Sequence, residues 1–403
     1  MDSNDKNKFS DIDALLRGIF KEETLREMFE KRMFELGVNQ TSVLKMLQME
    51  RKTLLGILDG TQKRANLANL HNLAVFLNVP TEDLIKKHIS QLEKNSENDE
   101  SAANKKKFIR ENFDLIVLKK SGFIEDISDY AEIEKRIVNF FGFDSIFEYK
   151  KRSFETAFSA GIVVPKKMHT RDFWLTSVKS LASKLDNPYH YDRQALIDYF
   201  PQIRWHSTNV EYGLINVIKS LFKLGITVVY RAPMSALHLR GATFSVNGKP
   251  CIALTDYKGF YPTLWHCLIH ELYHVLFDWG KIKENQYHVT VDQEVSLSLD
   301  AAETEADNFA REYLFSASKL ENVRLYLMDY EYIKEVAKAN HVHPSIIYIY
   351  NAYDQGATDR MVWPRTKRQM PDIKQALYRI DMQWNSPASL EDIARKLKIE
   401  IYN

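Results

Sequence analysis

The segment that most constrains this 403-residue chain is PTLWHCLIHELYHVLFDWG, residues 262–280. Apolar residues recur there at helical spacing from Pro262 to Asp278, and Leu268, Ile269, Leu272, Val275, Leu276 and Phe277 crowd around three polar side chains. So apolar a helix is largely buried, and buried imidazoles and carboxylates need partners. The three are His270, Glu271 and His274, in H-E-x-x-H spacing. Residues four apart stand one turn above each other on a helix, so both imidazoles reach a single ion, and zinc suits that pair. Glu271 projects beside them, where a carboxylate polarises a water and accepts its proton.

A catalytic metal needs a third protein ligand and an open position. AAETEADNFAREYL, residues 301–314, is the candidate helix, with Ala301, Ala302, Ala306, Phe309, Ala310, Tyr313 and Leu314 forming an apolar stripe that permits close helix contact. Glu303 and Asp307 share a face, which predicts Glu303 as the third ligand and Asp307 behind it, holding the free N–H of one metal-bound imidazole. Glu305 is the runner-up. Solvated acidic residues at a helix start are the plain alternative, since they suit the helix dipole. His266, Cys267 and His288 are also near this motif in sequence; His266 and Cys267 read as satisfied core residues, and sequence does not place His288.

The surroundings predict a multidomain chain, mainly α with an α+β part. GITVVYR, ALHLRGATFSV and KPCIALT are short β-branched segments, with the Asn247-Gly248 turn between the last two, and read as a small antiparallel sheet. Segments of helical spacing occupy most of residues 108–224, then 301–315, 323–340 and 367–398. Residues 91–107 are polar and aperiodic and read as a linker, so the expected division is 1–90, 91–107, 108–209, 210–350 and 351–403. Cys251 and Cys267 are the only cysteines, too few for a disulfide framework, which fits a reducing, cytoplasmic compartment. No apolar run reaches membrane-spanning length, so no membrane partner is expected.

Ahead of residue 90 come short amphipathic helices without a strand pattern: about 24–36 closed by Gly37, NQTSVLKML, MERKTLLGILDG ending at Gly60, LANLHNLAVFLNVP, and a fifth opened by Pro80 with Thr81 as its cap. Arg51, Lys52 and Thr53 lie on the first turn of a helix that Leu54, Leu55, Ile57 and Leu58 can anchor, a placement that offers side chains to base edges. Between residues 45 and 64, Lys45, Arg51, Lys52, Lys63 and Arg64 outnumber Glu50 and Asp59 by three charges, a modest phosphate-facing patch on a chain whose total charge is only +1. Gln40 suits a phosphate contact at a helix start, with Thr41 next to it. A helical protein-docking bundle is the alternative.

The HELYH segment, the ETEADNFAREYL segment and CIALT together resemble the ImmA/IrrE-type zinc metallo-endopeptidases, whose pattern is H-E-x-x-H followed by E-x-x-A-N/D-x-F-A. The resemblance spans about residues 210–350. It implies a zincin-like α+β peptidase fold with His270, His274 and Glu303 on zinc and Glu271 as catalytic base. Two departures are visible: Tyr273 stands where the family commonly has Gly, and Leu314-Phe315-Ser316 where it has Leu-Met-Pro. Residues 24–89 resemble a Cro/repressor-type (XRE) helix-turn-helix domain, which implies double-stranded DNA as a partner, Gln40, Thr41, Arg51, Lys52, Thr53, Lys63 and Arg64 near it, and a homodimer. The pair of resemblances implies a regulatory endopeptidase that cuts a protein such as a repressor to control stress, defence or mobile-element genes. A non-proteolytic repressor or antitoxin-like regulator with a sensing zinc fold is the alternative, and a defence scaffold a third. Residues 341–356, HVHPSIIYIYNAYDQG, are similar to a helix-turn-helix tail but are too poor in charge to read bases.

Overall fold

The computed structural model describes residues 23–62, 64–149, 167–235, 237, 239–256, 259–285, 287–291 and 301–402. Its contacts divide the chain into two compact units, with the boundary between Lys107 and Phe108.

Among its described residues the first unit is all-helical: α1 Leu25–Leu36, α2 Gln40–Leu47, α3 Arg51–Leu58, α4 Leu67–Leu77 and most of α5, Thr81–Asn112, whose last residues belong to the second unit. Local chemistry sets the ends. Thr24 and Glu27 form a capping box on α1, and Gly37 closes it with φ +63°, where a side chain is strained. Asn39 caps α2 by accepting from the N–H of Ser42. Gln48 then takes φ +50°, and Gln48, Met49 and Glu50 make a three-residue turn into α3. Leu25, Phe29, Val43, Leu47, Leu54, Ile57, Leu73 and Leu84 fill the core. The paired hydrogen bonds of Arg26 to Asp59, both 2.7 Å, tie α1 to the exit of α3.

Two expectations are corrected here. Residues 91–107 are helical, inside α5, rather than a linker. The stretch has neither Gly nor Pro, and its Lys, Glu and Ala are strong helix formers, so polarity alone did not interrupt it. Thr81 is the first residue of α5 rather than its cap, and its hydroxyl meets His71 Nδ1 at 3.0 Å.

The second unit is helical around a small sheet. Helices α6 Leu115–Lys120, α7 Tyr130–Phe141, α8 Lys167–Leu185, α9 Arg193–Ile203 and α10 Gly213–Lys223 precede β1 Thr227–Tyr230, β2 Leu239–Val246 and β3 Lys249–Leu254. Next come α11 Tyr261–Phe277, α12 Trp279–Asn285, β4 Tyr287–Val291 and α13 Ala301–Phe315. The chain finishes with α14 Ala317–Val323, α15 Tyr330–Ala339, α16 Pro344–Gln355, α17 Val362–Lys367, α18 Ile373–Leu377 and α19 Leu390–Leu397. The helical expectations for 323–340 and 367–398 therefore resolve into shorter pieces.

The sheet has the order β1-β3-β2-β4 and is mixed, not antiparallel as expected. β2 and β3 form the hairpin at Asn247-Gly248, both with positive φ, as a tight hairpin turn requires. That hairpin lays β3 parallel to β1, with Thr227 opposite Cys251 and Tyr230 opposite Leu254. β1 is buried at every position and β3 at all but its first, so neither carries the alternation from which a direction is read. Residues 108–209, 210–350 and 351–403 share one core, which holds Phe173, Phe244, Leu268 and Trp384 together, and Phe123, Phe140, Phe173 and Trp384 touch ring to ring within it. Arg136 stacks on Phe123 and donates to the carbonyl of Trp384, joining the outer two of those regions.

Candidate metal centre

The apolar stripe of α11 buries the helix against β2, β3, α13 and α16. That packing carries His270, Glu271 and His274 to 2%, 0% and 0% exposure. His270 Nε2 and His274 Nε2 lie 3.2 Å apart, Glu303 Oε2 is 3.4 Å from the first and Glu303 Oε1 3.3 Å from the second. Four donors placed tetrahedrally about an ion at about 2.0–2.1 Å are about 3.3–3.4 Å from each other. The imidazole pair has that spacing, and Glu303 spans it with one oxygen toward each ring, so the three side chains converge closely enough to share one ion.

The outer sides of the imidazoles explain why they face inward. His270 Nδ1 meets Asp307 Oδ1 at 2.8 Å, and His274 Nδ1 meets Asp278 Oδ2 at 2.9 Å. Each carboxylate accepts a hydrogen bond from Nδ1–H, the tautomer that turns the Nε2 lone pair toward the centre. Two lone pairs and a carboxylate converging in a buried space repel one another unless a cation lies between them. The electrostatics agree. Burial disfavours a charged His270, yet its hydrogen bonds to Asp307 and Glu303, and the charge of Glu271, push it up to about 10. Burial also works against an ionised Asp307, but hydrogen bonds from His266 and His270 hold it well below the usual carboxylate range. The site is short of positive charge, and the donor set fits a divalent metal ion.

Glu271 is built differently. Its Oε2 accepts from the Thr243 hydroxyl at 2.6 Å, while Oε1, equally buried, has no hydrogen-bond partner. The space for it comes from Gly241 on β2: a Cβ there would lie 2.5 Å from Oε1 and 2.6 Å from Cys267 Sγ. One oxygen is thus anchored, and the other is left without a hydrogen-bond partner against β2.

The remaining sequence candidates fall around this centre. Glu305 is exposed and accepts from Tyr273 at 2.8 Å, away from the ligand face. His266 stands one turn ahead of His270 and bridges Asp307, at 3.1 Å, to the Tyr350 hydroxyl, at 3.0 Å. Cys267 is buried and its thiol donates to the Arg240 carbonyl at 3.1 Å. His288 pairs through its backbone with Thr243; its side chain lies outside the described residues. Asp278, Thr243, Gly241 and Tyr350 were not anticipated. Asp278 was discoverable, being four residues beyond His274 on the same helix, whereas the others come from β2 and α16.

In the first unit, Arg51 and Lys52 are exposed at the start of α3, Thr53 is half-buried, and Leu54 and Ile57 are fully buried. Thr41 and Arg64 are exposed and Gln40 half-exposed. Lys63 lies outside the described residues. Arg51, Lys52, Thr61 and Gln62 border one open groove. No protein-family model, curated protein or solved structure matches this chain.

Proposed function

We propose that the chain is a zinc-dependent endopeptidase carrying a DNA-reading N-terminal unit, which cleaves a repressor or another partner regulator to control transcription of stress, defence or mobile-element genes. The observation that carries the reading is the joint geometry of His270, His274 and Glu303 beside a Glu271 with one anchored and one unpartnered oxygen.

His270, His274 and Glu303 would hold the zinc, with Asp307 and Asp278 orienting the imidazoles. Bound zinc supplies Lewis acidity toward a peptide carbonyl and an attacking water. Glu271 takes the proton of that water on Oε1 and returns it to the leaving amine, while Thr243 keeps Oε2 in place. Packing excludes bulk water from Glu271 and both imidazoles, which strengthens each of these charge interactions. For the first unit, the three-residue turn between α2 and α3, with exposed Arg51 and Lys52 on the leading turn of α3, supports docking of α3 in a DNA major groove.

Glu271→Gln tests the peptidase reading, because the amide keeps the shape and cannot act as base. Zinc content is expected to stay at wild-type level while cleavage of co-expressed candidate regulators falls on the order of 10²–10⁴-fold. Cleavage by the variant at the wild-type rate would sink it. The depth of the centre favours a second reading, a regulator that senses a ligand or partner without cutting it. A zinc-loaded wild type that cuts no candidate regulator, yet changes DNA affinity on metal removal, selects that one.

A further inference from the structure

A cavity of about 210 Å³ lies in the second unit beside the metal centre, walled by α11, α13, α16 and the facing ends of β2 and β3. Its position follows from helical spacing. Thr263 and His266 line it, and one turn further along the same face of α11 stand His270 and then His274. On α13 the ligand Glu303, the imidazole partner Asp307 and the cavity residue Arg311 succeed one another at steps of four. One stripe from each helix thus runs from the metal donors into the cavity, with Asp307 and His266 as the shared wall.

The lining is both cationic and aromatic, with the Arg311 guanidinium 5.4 Å from the centre of the Tyr350 ring. Arg240 and Arg311 bring guanidinium groups, and Tyr350 and Tyr353 give an aromatic side. Arg311 Nη2 donates to Asp354 at 2.7 Å, but its Nε is buried without a hydrogen-bond acceptor. A buried N–H of a charged group left unmatched is costly, and an incoming carboxylate would satisfy it. Arg240 lines the same cavity as His266 and Cys267, with its carbonyl accepting from the Cys267 thiol at 3.1 Å. Asp307 sets one negative charge on the shared wall, its Oδ1 engaged by His266 and His270, against the two guanidinium charges of Arg240 and Arg311. In size the cavity exceeds the roughly 150 Å³ that accommodates a benzene molecule, so it takes one side chain and not a stretch of peptide.

We infer that this cavity is a subsite for an acidic side chain, Glu or Asp, of the polypeptide whose bond lies at the metal centre. The inference rests on the peptidase reading for the identity of its occupant, and on Arg240, Arg311 and the cavity for its chemistry. A carboxylate entering beside Tyr350 would lay its methylenes on the ring and meet the guanidinium groups with its oxygens. Acidic residues would then be selected at one fixed position close to the scissile bond.

The test uses full-length zinc-loaded protein on a proteome-derived peptide library, with cut sites read by mass spectrometry. Glu and Asp are expected to be enriched roughly tenfold at one position near the cut, the scale of a single pocket contact. Arg240→Met and Arg311→Gln should each erase most of that enrichment; if Arg311→Gln misfolds by circular dichroism, Arg240→Met decides. Cuts without an acidic preference, or a preference that survives both substitutions, overturn the inference and leave the peptidase reading standing. In parallel, N-acetyl-glutamate α-amide and N-acetyl-leucine α-amide are titrated calorimetrically into the zinc-loaded wild type and Arg240→Met. Tighter binding of the glutamate derivative, lost in Arg240→Met, supports the acidic pocket even if the library is left uncut, in which case the peptidase reading alone falls. Equal or undetectable binding of both, with no cuts, overturns the pocket as well.

Discussion

The metal centre and the leading turn of α3 place polar side chains in opposite circumstances. At the centre, His270, Glu271 and His274 are buried, and every imidazole nitrogen there faces a carboxylate or another donor. At α3, Arg51 and Lys52 are exposed over a buried Leu54 and Ile57, with water as an alternative partner for each charge. Desolvation makes the difference. A buried donor must be matched by specific groups, so its partners reveal its purpose, whereas an exposed cation is compatible with DNA, protein or solvent. The comparison can be broken by substitutions on either side.

The largest effect is expected from His270→Ala with His274→Ala. Without those donors the bound zinc, expected at one per chain, should vanish by elemental analysis, and thermal stability should fall with it because metal binding adds to folding energy. Full occupancy in the double variant would mean that the buried cluster is only a hydrogen-bonded core. Asp307→Ala comes next. It removes the group that orients His270, so zinc affinity measured by chelator competition should drop 10–100-fold while some binding persists. An unchanged affinity would leave Asp307 as a partner of His266 only.

Gly241→Ala is expected to be smaller. The added methyl must displace the Glu271 carboxylate or Cys267, at a cost of about 1–3 kcal/mol in chemical denaturation for overpacking. A neutral result would show that β2 moves freely away from α11. The smallest change in stability belongs to Arg51→Ala and Lys52→Ala, within about 0.5 kcal/mol, since neither side chain is buried. Their effect should appear instead in DNA binding, where each lost phosphate contact reduces the slope of log affinity against log salt by about 0.9. If both variants bind the upstream region of the gene as wild type does, at low salt and high, α3 is a protein-docking surface.

Short-range patterns were legible where one physical rule dominated. The span of α11 follows from its apolar spacing, and that of α13 likewise, with boundaries at Tyr261–Phe277 and Ala301–Phe315 close to those read from sequence. The hairpin at Asn247-Gly248 was equally readable because both residues tolerate positive φ. Polarity misled at residues 91–107, where helix propensity prevailed over the appearance of a linker. Division into separate blocks after residue 108 was also misleading, since Trp384 reaches Phe123 and Phe173 across more than two hundred residues and sequence spacing carries no trace of such contacts.

What the sequence determined by itself is the set of donors that one helix can align: His270 and His274 by their step of four, and Glu303 with Asp307 by the same step on a second helix. What only the tertiary structure decided is how those helices meet. Packing of α11 on α13 and β2 brings Glu303 to 3.3–3.4 Å from the two imidazoles, sets Thr243 and Gly241 against Glu271, and opens a cavity next to His266. Strand direction was decided there too, because β1 and β3, buried on both faces, show no alternation. Helical periodicity is a local property of the backbone and is written into residue order. Close packing between distant segments depends on the shapes and volumes of all the side chains at once.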